Sequence, residues 1–400
     1  MKTTMLIYNI RIALPDGKLM NGEILIKEGK INQISDFPIN DFDGERIDGR
    51  GSIALPGFID IHIHGADGAD FMDGSESAFA KIAQALPREG TTSFLATTMT
   101  QATGKIQQAI DAGFRYLSKT QCGKGAEFLG YHLEGPFIAP EKAGAQPRDF
   151  IQKPSVESIE QWFGKKLEHL KIVTLAPERD SQNLVIKHLA DKGIIMSAGH
   201  TIATQQEIQT AIEHGLTHLT HFGNAMRGLH QREIGVIGAG LLHDQLYCEL
   251  IADGIHVSDD MMKLMMKVIG PDRLLLITDS MRAKGLADGI YTLADQQVKV
   301  SGDKATLEDD SLAGSLLKMN EGIKRLRLLS DLSLHEVMKM SSVNAAKRLG
   351  IFDRKGSIEE GKDADIVILN EAFDVRYTIC RGRLSYAYDV NKVDSLDSGW

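Results

Sequence analysis

The stretch "PGFIDIHIHG" (residues 56–65) places His62 and His64 one residue apart inside an apolar run. Side chains at i and i+2 of a strand share a face, so the two imidazoles point together and Ile61 and Ile63 point the other way. Adjacent imidazoles repel when both are charged and are stable together when neutral and sharing a cation. Zinc, iron and manganese accept nitrogen and carboxylate donors of this kind. Glu134 in "YHLEGP", His200 in "MSAGH" and His221 in "LTHLTH" extend the set to one carboxylate and four imidazoles. That is enough for one divalent ion with open positions, or for two ions bridged by Glu134. Asp279 in "LLLITDS" adds a carboxylate that can take a proton from an activated water and return it to a leaving group. Its other readings are a further ligand or a helix N-cap, since "TDS" also spells a cap.

These residues are far apart in the chain, so the fold must gather them. Strand-like runs occur near 57–64, 91–98, 127–134, 171–176, 194–199, 216–221, 246–252 and 273–279. Helical patterns fill 76–89, 104–118, 155–168, 181–192, 204–214 and 258–269. Strands alternating with helices read as parallel β/α, and eight is the number that closes a (β/α)8 TIM-like barrel; a doubly wound sheet is the alternative. His62 and His64, Glu134, His200, His221 and Asp279 each end a run. In a barrel the C-terminal strand ends form one rim, where active sites lie. A lone histidine at a strand end is usually structural, but four histidines, a glutamate and an aspartate at strand ends argue for a metal site. His169, His188, His214, His230, His243 and His335 read as surface or loop residues. His132 and His218 read as either support for the ligands or core.

The two ends of the chain have a different texture. Residues 3–12, 22–35, "GKDADIVILN" and "VRYTICRGRLSYA" are short strands with turn residues between them. We expect a small β-sandwich domain from residues 1–52 and 353–400, around a catalytic barrel at 53–352. The barrel carries an inserted loop and hairpin near 280–311, long enough to act as a lid or binding loop. The last residues, "YDVNKVDSLDSGW", read as a loosely held tail. The 400 residues carry a net charge of −9, which argues against nucleic acid or an anionic membrane as partner. Cys122, Cys248 and Cys380 form no CxxC and read as reduced thiols. No apolar run reaches the ~18 residues a membrane span needs. The expectation is a cytoplasmic enzyme or binding protein.

The ordered motifs "PGFIDIHIHG", "HLEGPF", "LAPE", "SAGHT", "THLTHFGNAM", "IADGIHV", "ITDSMRAKG", "LAGS" and "GSIEEGKDADIVIL" span nearly the whole chain. In them the sequence resembles the N-acetylglucosamine-6-phosphate deacetylase family of the amidohydrolase superfamily. The first and last motifs occur across the superfamily; "HLEGP" followed by "THLTHFGNAM" and "DGIHV" is more specific to the sugar deacetylases. The resemblance implies hydrolysis of N-acetylglucosamine 6-phosphate to glucosamine 6-phosphate and acetate. It makes Glu134, His200 and His221 ligands of the principal metal, zinc or iron foremost, and Asp279 the acid/base. His62 and His64 match the second-metal ligands of two-metal members, while other members work with one ion. It implies substrate contacts at Asn224 and Ala225, at Arg232 and His256 for the sugar phosphate, and along Leu312, Ala313 and Gly314. Arg232 and His256 are implied to reach across a homodimer. Where many members read "GTHNP" or "GAHP", with a histidine contacting substrate, this chain has "AGAQP". Ala145 and Gln146 stand there, and Gln146 can hydrogen-bond but carries no charge. Cyclic amidases and nucleobase deaminases are rival readings, as is a non-catalytic scaffold. The first two usually need a carboxylated lysine or another acid/base set, and scaffolds typically lose ligands that this chain keeps.

Overall fold

The computed structural model describes residues 4–119 and 125–388. Cys122 and all but the first residue of the C-terminal tail lie outside them. Eight parallel strands form one sheet in strict chain order: Phe58–Ile63, Thr91–Thr97, Glu127–Glu134, Leu170–Leu175, Ile195–Ala198, Leu216–Leu219, Tyr247–Ile251 and Leu274–Ile277. All eight expected strands are present. The first and eighth close the ring through the backbone N–H of Asp279, which donates to the carbonyl of His62 at 2.8 Å. Below this bond the Thr278 N–H donates to the buried Asp60 carboxylate at 3.3 Å.

Period-2 alternation sorts the strand residues into two layers. Leu95, Ile172, Ile195, Ile251, Leu275 and Ile277 fill the barrel interior. Their strand neighbours, such as Phe94, Ala96, Val173, Leu175, Leu274 and Leu276, pack outward with the helices. The first strand breaks this rule. A register shift between Asp60 and Ile63 leaves Ile61 in the interior cluster and Ile63 in the outer one. His62 and His64 nevertheless lie together, with ring centroids 5.3 Å apart.

Helices expected from their apolar period and caps are present, including Glu76–Ala85 capped by Ser75, Gln205–Glu213 with a Thr204–Glu207 capping box, and Asp259–Val268 capped by Ser258. The sequence reading missed Gly235–Leu242 and Met319–Leu329. In the former, "GVIGAGLL" has poor helix propensity. The helix is held by packing: a Cβ on Gly240 would come within 2.4 Å of the Phe222 ring.

Both chain ends contribute to one seven-stranded sheet. Ile53, Leu55, Val367 and Leu369 face the barrel layer, while the alternating Ala54, Ile366 and Ile368 face the sheet's own core. The inserted segment after the eighth barrel strand forms three antiparallel strands, Gly289–Leu293, Gln296–Ser301 and Lys304–Thr306, one more than expected.

The "GKDAD" motif sits where sheet meets barrel. Lys355, 1% exposed, contacts Glu127 at the start of the third barrel strand at 2.7 Å, and also contacts Asp363 and Asp365. Arg354 adds a bidentate pair to Glu127 at 3.0 and 3.1 Å and a 2.7 Å bond to Asp363. Burial raises the pKa of Glu127 and Asp363, but the neighbouring cations outweigh it and hold both low. Both folded pKa values are depressed, so this stabilisation is present above the unfolded carboxylate range near ~4 and is lost as pH falls through the folded values. Lys355→Met leaves the buried Asp365 carboxylate without its cation, removes one of the cations on Glu127 and Asp363, and should cost about 3–5 kcal/mol by urea unfolding at neutral pH. The gap from wild type should narrow as the pH is lowered through those values.

Candidate metal-dependent active site

The strand ends place six side chains in one buried cluster. His200 Nε2 and His221 Nε2 lie 3.2 and 3.1 Å from Glu134 Oε1 and 3.1 Å from each other. His64 Nε2 lies 3.4 Å from Glu134 Oε2 and 3.1 Å from Asp279 Oδ1. His62 Nε2 lies 3.4 Å from Asp279 and 3.6 Å from Glu134. Glu134 therefore stands between two groups, Glu134–His200–His221 and His62–His64–Asp279, each compact enough to hold an ion.

The backbone turns these side chains inward. His200, His221 and Asp279 all adopt left-handed φ values, 48°, 32° and 49°. Non-glycine residues seldom hold this conformation, and it concentrates at functional sites. Hydrogen bonds hold it in place. The carbonyl of Asp279 accepts the Ser315 N–H at 2.8 Å, and that of His200 accepts the Ala139 N–H at 2.8 Å. No helix follows Asp279, so its carboxylate does not serve as an N-cap.

In three of the four histidines the ring nitrogen facing away from the cluster has an acceptor behind it. His64 Nδ1 faces the Thr97 carbonyl at 3.3 Å and His200 Nδ1 the Lys142 carbonyl at 2.7 Å. His62 Nδ1 bonds Glu249 at 2.9 Å. Each of these Nδ1–H groups donates outward, so the nitrogen turned into the cluster is Nε2, whose lone pair is free for a divalent ion that displaces its proton. His62 Nε2 is buried and has no hydrogen-bond partner. Burial lowers the pKa of His62, but the Asp279, Glu249 and Glu134 carboxylates outweigh it and hold it at about 9. Burial raises the pKa of Asp279, but His62 and His64 hold it down at about 2. The cluster thus has carboxylates and imidazole lone pairs that demand positive charge, which is the donor set a divalent ion fits.

Above the cluster is a cleft of about 370 Å³, within the range of small-ligand sites. Ala145, Gln146, Asn224, Ala225, His256, Leu312 and Gly314 line it. Ala313 is instead buried in the core of the insertion with Met281 and Leu293. His256 lines the cleft of its own chain, with its Nδ1 bonded to Asp253 at 2.6 Å. The segment after the seventh barrel strand ends at this rim and brings His256 there. Arg232 is exposed and lies outside the cleft lining.

Gln146 turns toward the cluster. Its Nε2 donates to Glu134 Oε2 at 2.7 Å, and its Oε1 accepts the Thr100 N–H at 2.6 Å. Gln296 of the insertion donates to the Ala145 carbonyl at 2.6 Å, so the hairpin holds this loop in place.

Sequence reasoning missed Glu249 and Asp60, both fully buried. The available signal was a carboxylate inside an apolar strand, in "YCELI" and in "FIDIHI". His132 and His218 are also fully buried, whereas the six histidines read as surface or loop residues are exposed or half-buried. His132 bonds the Ile61 carbonyl and Thr174, and burial together with His62 pulls its pKa down to about 4.

This barrel with its histidine–carboxylate rim defines a hydrolase class, and the chain belongs to the amidohydrolase family, which it matches over residues 53–385. It is 47% identical to N-acetylglucosamine-6-phosphate deacetylase of Bacillus subtilis over 96% of this chain and 98% of that protein. It is 33% identical to N-acetylgalactosamine-6-phosphate deacetylase of Escherichia coli O157:H7, covering 94% and 97%. Its fold matches the crystal structure of N-acetylglucosamine-6-phosphate deacetylase from Thermotoga maritima with a TM-score of 0.86 at 36% identity, covering 96% and 100%.

Because Gln146 anchors one oxygen of Glu134, Gln146→Leu should weaken divalent-ion affinity by roughly 10–100-fold. Competition with a chromophoric chelator measures this, and unchanged affinity would remove Gln146 from the ion site.

Proposed function

We propose that this chain hydrolyses N-acetyl-D-glucosamine 6-phosphate to D-glucosamine 6-phosphate and acetate. The carrying observation is the Glu134-centred cluster with Asp279 at the floor of a sugar-sized cleft, in a chain matched end to end by deacetylases of phosphorylated acetamido sugars. Against a scaffold role, every ligand-type residue is retained and aimed at one point.

One or two divalent ions, zinc or iron foremost, would be held by Glu134, His200 and His221 and by His62 and His64. Bound there, they would supply electrophilic pull on the acetamide carbonyl and acidify the attacking water. Asp279 accepts the water's proton as the carbon–oxygen bond forms. It then gives that proton to the sugar nitrogen as the carbon–nitrogen bond breaks, which suits a carboxylate held ionised beside two imidazoles. Asn224, Ala225, Leu312 and Gly314 line the sugar's place, with Ala313 packed behind them, and His256 meets its phosphate.

Arg232 is exposed on the monomer, three residues after the exposed Leu229. We propose a homodimer in which Arg232 reaches the partner's phosphate site, a charge-assisted contact. No described helix is long and apolar enough to cross a membrane. The phosphorylated substrate and the absence of a CxxC favour the cytoplasm.

Acetate release from the phosphosugar by metal-loaded protein tests the activity. Asp279→Asn should lower kcat by about 10²–10⁴-fold. Turnover of N-acetylgalactosamine 6-phosphate in preference would move the assignment to that sugar. Arg232→Ala should reduce kcat/KM for the phosphosugar by about 10–100-fold and leave the slow reaction of plain N-acetylglucosamine nearly unchanged. Equal losses on both sugars would exclude a phosphate role.

A further inference from the structure

We propose that Glu249 is a positioning residue that secures the ion position formed by His62, His64 and Asp279, and thereby sets how many ions the site holds. This rests on reading the cluster as an ion site and is independent of which amide is cleaved.

Glu249 lies in the middle of the seventh barrel strand, fully buried between Cys248 and Leu250. One oxygen, Oε2, accepts two N–H groups: His62 Nδ1–H at 2.9 Å and the backbone N–H of His221 at 3.0 Å. The two histidines belong to different candidate ion positions. The contact to the backbone pins the left-handed turn at His221, and the contact to the ring fixes the tautomer of His62. The other oxygen, Oε1, is buried without a hydrogen-bond partner.

Among the four cluster imidazoles, His62 is distinguished by what stands behind it. His64 and His200 have neutral carbonyls behind Nδ1, and His221 Nδ1 has no partner. A carboxylate behind an imidazole makes the opposite nitrogen a stronger donor. The structure therefore strengthens the His62 side in particular.

Charge leads to the same position. Glu134, Asp279 and Glu249 are three buried carboxylates joined through His62. The buried cation Lys284 is already paired with Glu89 at 2.8 Å. One divalent ion carries two charges against these three carboxylates, so the cluster favours further positive charge at the His62 position, which a second ion supplies. Replacing Glu249 by its neutral isostere removes the demand for the second ion while keeping the shape of the site.

The test is a cobalt(II) titration of the metal-stripped full-length protein, followed by calorimetry and the visible d–d spectrum, with no substrate present. Wild type should bind two ions per chain in two resolvable steps. Glu249→Gln should keep the first step within about threefold and weaken the second by roughly 10–100-fold. Should that variant not fold, Glu249→Asp provides the same readout. The shortened carboxylate draws back from both the His62 ring and the His221 N–H, so the second step should weaken roughly tenfold more than the first. One ion in wild type, both steps unchanged, or both steps weakened alike would each overturn the role. Because the readout is ion binding alone, a wrong substrate assignment would not affect it.

Discussion

Like-charged and lone-pair-bearing groups are held against one another in the mouth of this barrel. Glu134, Asp279 and Glu249 lie within hydrogen-bonding reach of imidazoles whose unprotonated nitrogens face inward. In water such groups would separate and hydrate. Here hydrogen bonds from behind, to Thr97, Lys142 and Glu249, fix the rings of His64, His200 and His62, and left-handed backbone at three strand ends fixes the approach. The rest of the molecule supplies the rigidity that keeps this arrangement from relaxing.

That rigidity comes from layers. The barrel interior and the helix layer fill by simple alternation, so each strand end is set by two packed surfaces. The first and eighth strands close the ring at His62 and Asp279 themselves, which makes barrel closure and site assembly the same event. The insertion packs over the rim and bonds the Ala145 carbonyl. Below, the Lys355 network joins the terminal sheet to the barrel floor, and the superfamily-wide "GKDAD" ending acts there in structure, away from the chemistry.

Much of this was legible in the sequence because strand ends carry a local signal. Apolar runs of the right length stop at His64, Glu134, His200, His221 and Asp279, and a barrel has one rim on which such ends meet. The Gly235–Leu242 helix was not legible, because glycines that lower its propensity are demanded by close contacts, Gly240 with Phe222 and Gly238 with Ile234. The break in alternation at Ile61 was not legible either, since it arises from register against a neighbouring strand. Glu249 and Asp60 were visible as carboxylates in apolar runs, but nothing local says which partners satisfy them.

The sequence by itself determined the barrel, the donor set and the acid/base candidate, because residue type and strand periodicity are properties of short segments. Only the tertiary structure decided how those donors divide into two groups about Glu134. It also decided that Gln146 turns to Glu134, that His256 lies in the cleft lining while Arg232 stands outside it, and that Glu249 contacts a histidine of each group. These are matters of distance between segments far apart in the chain, set by packing and closure of the ring, and no local pattern encodes them.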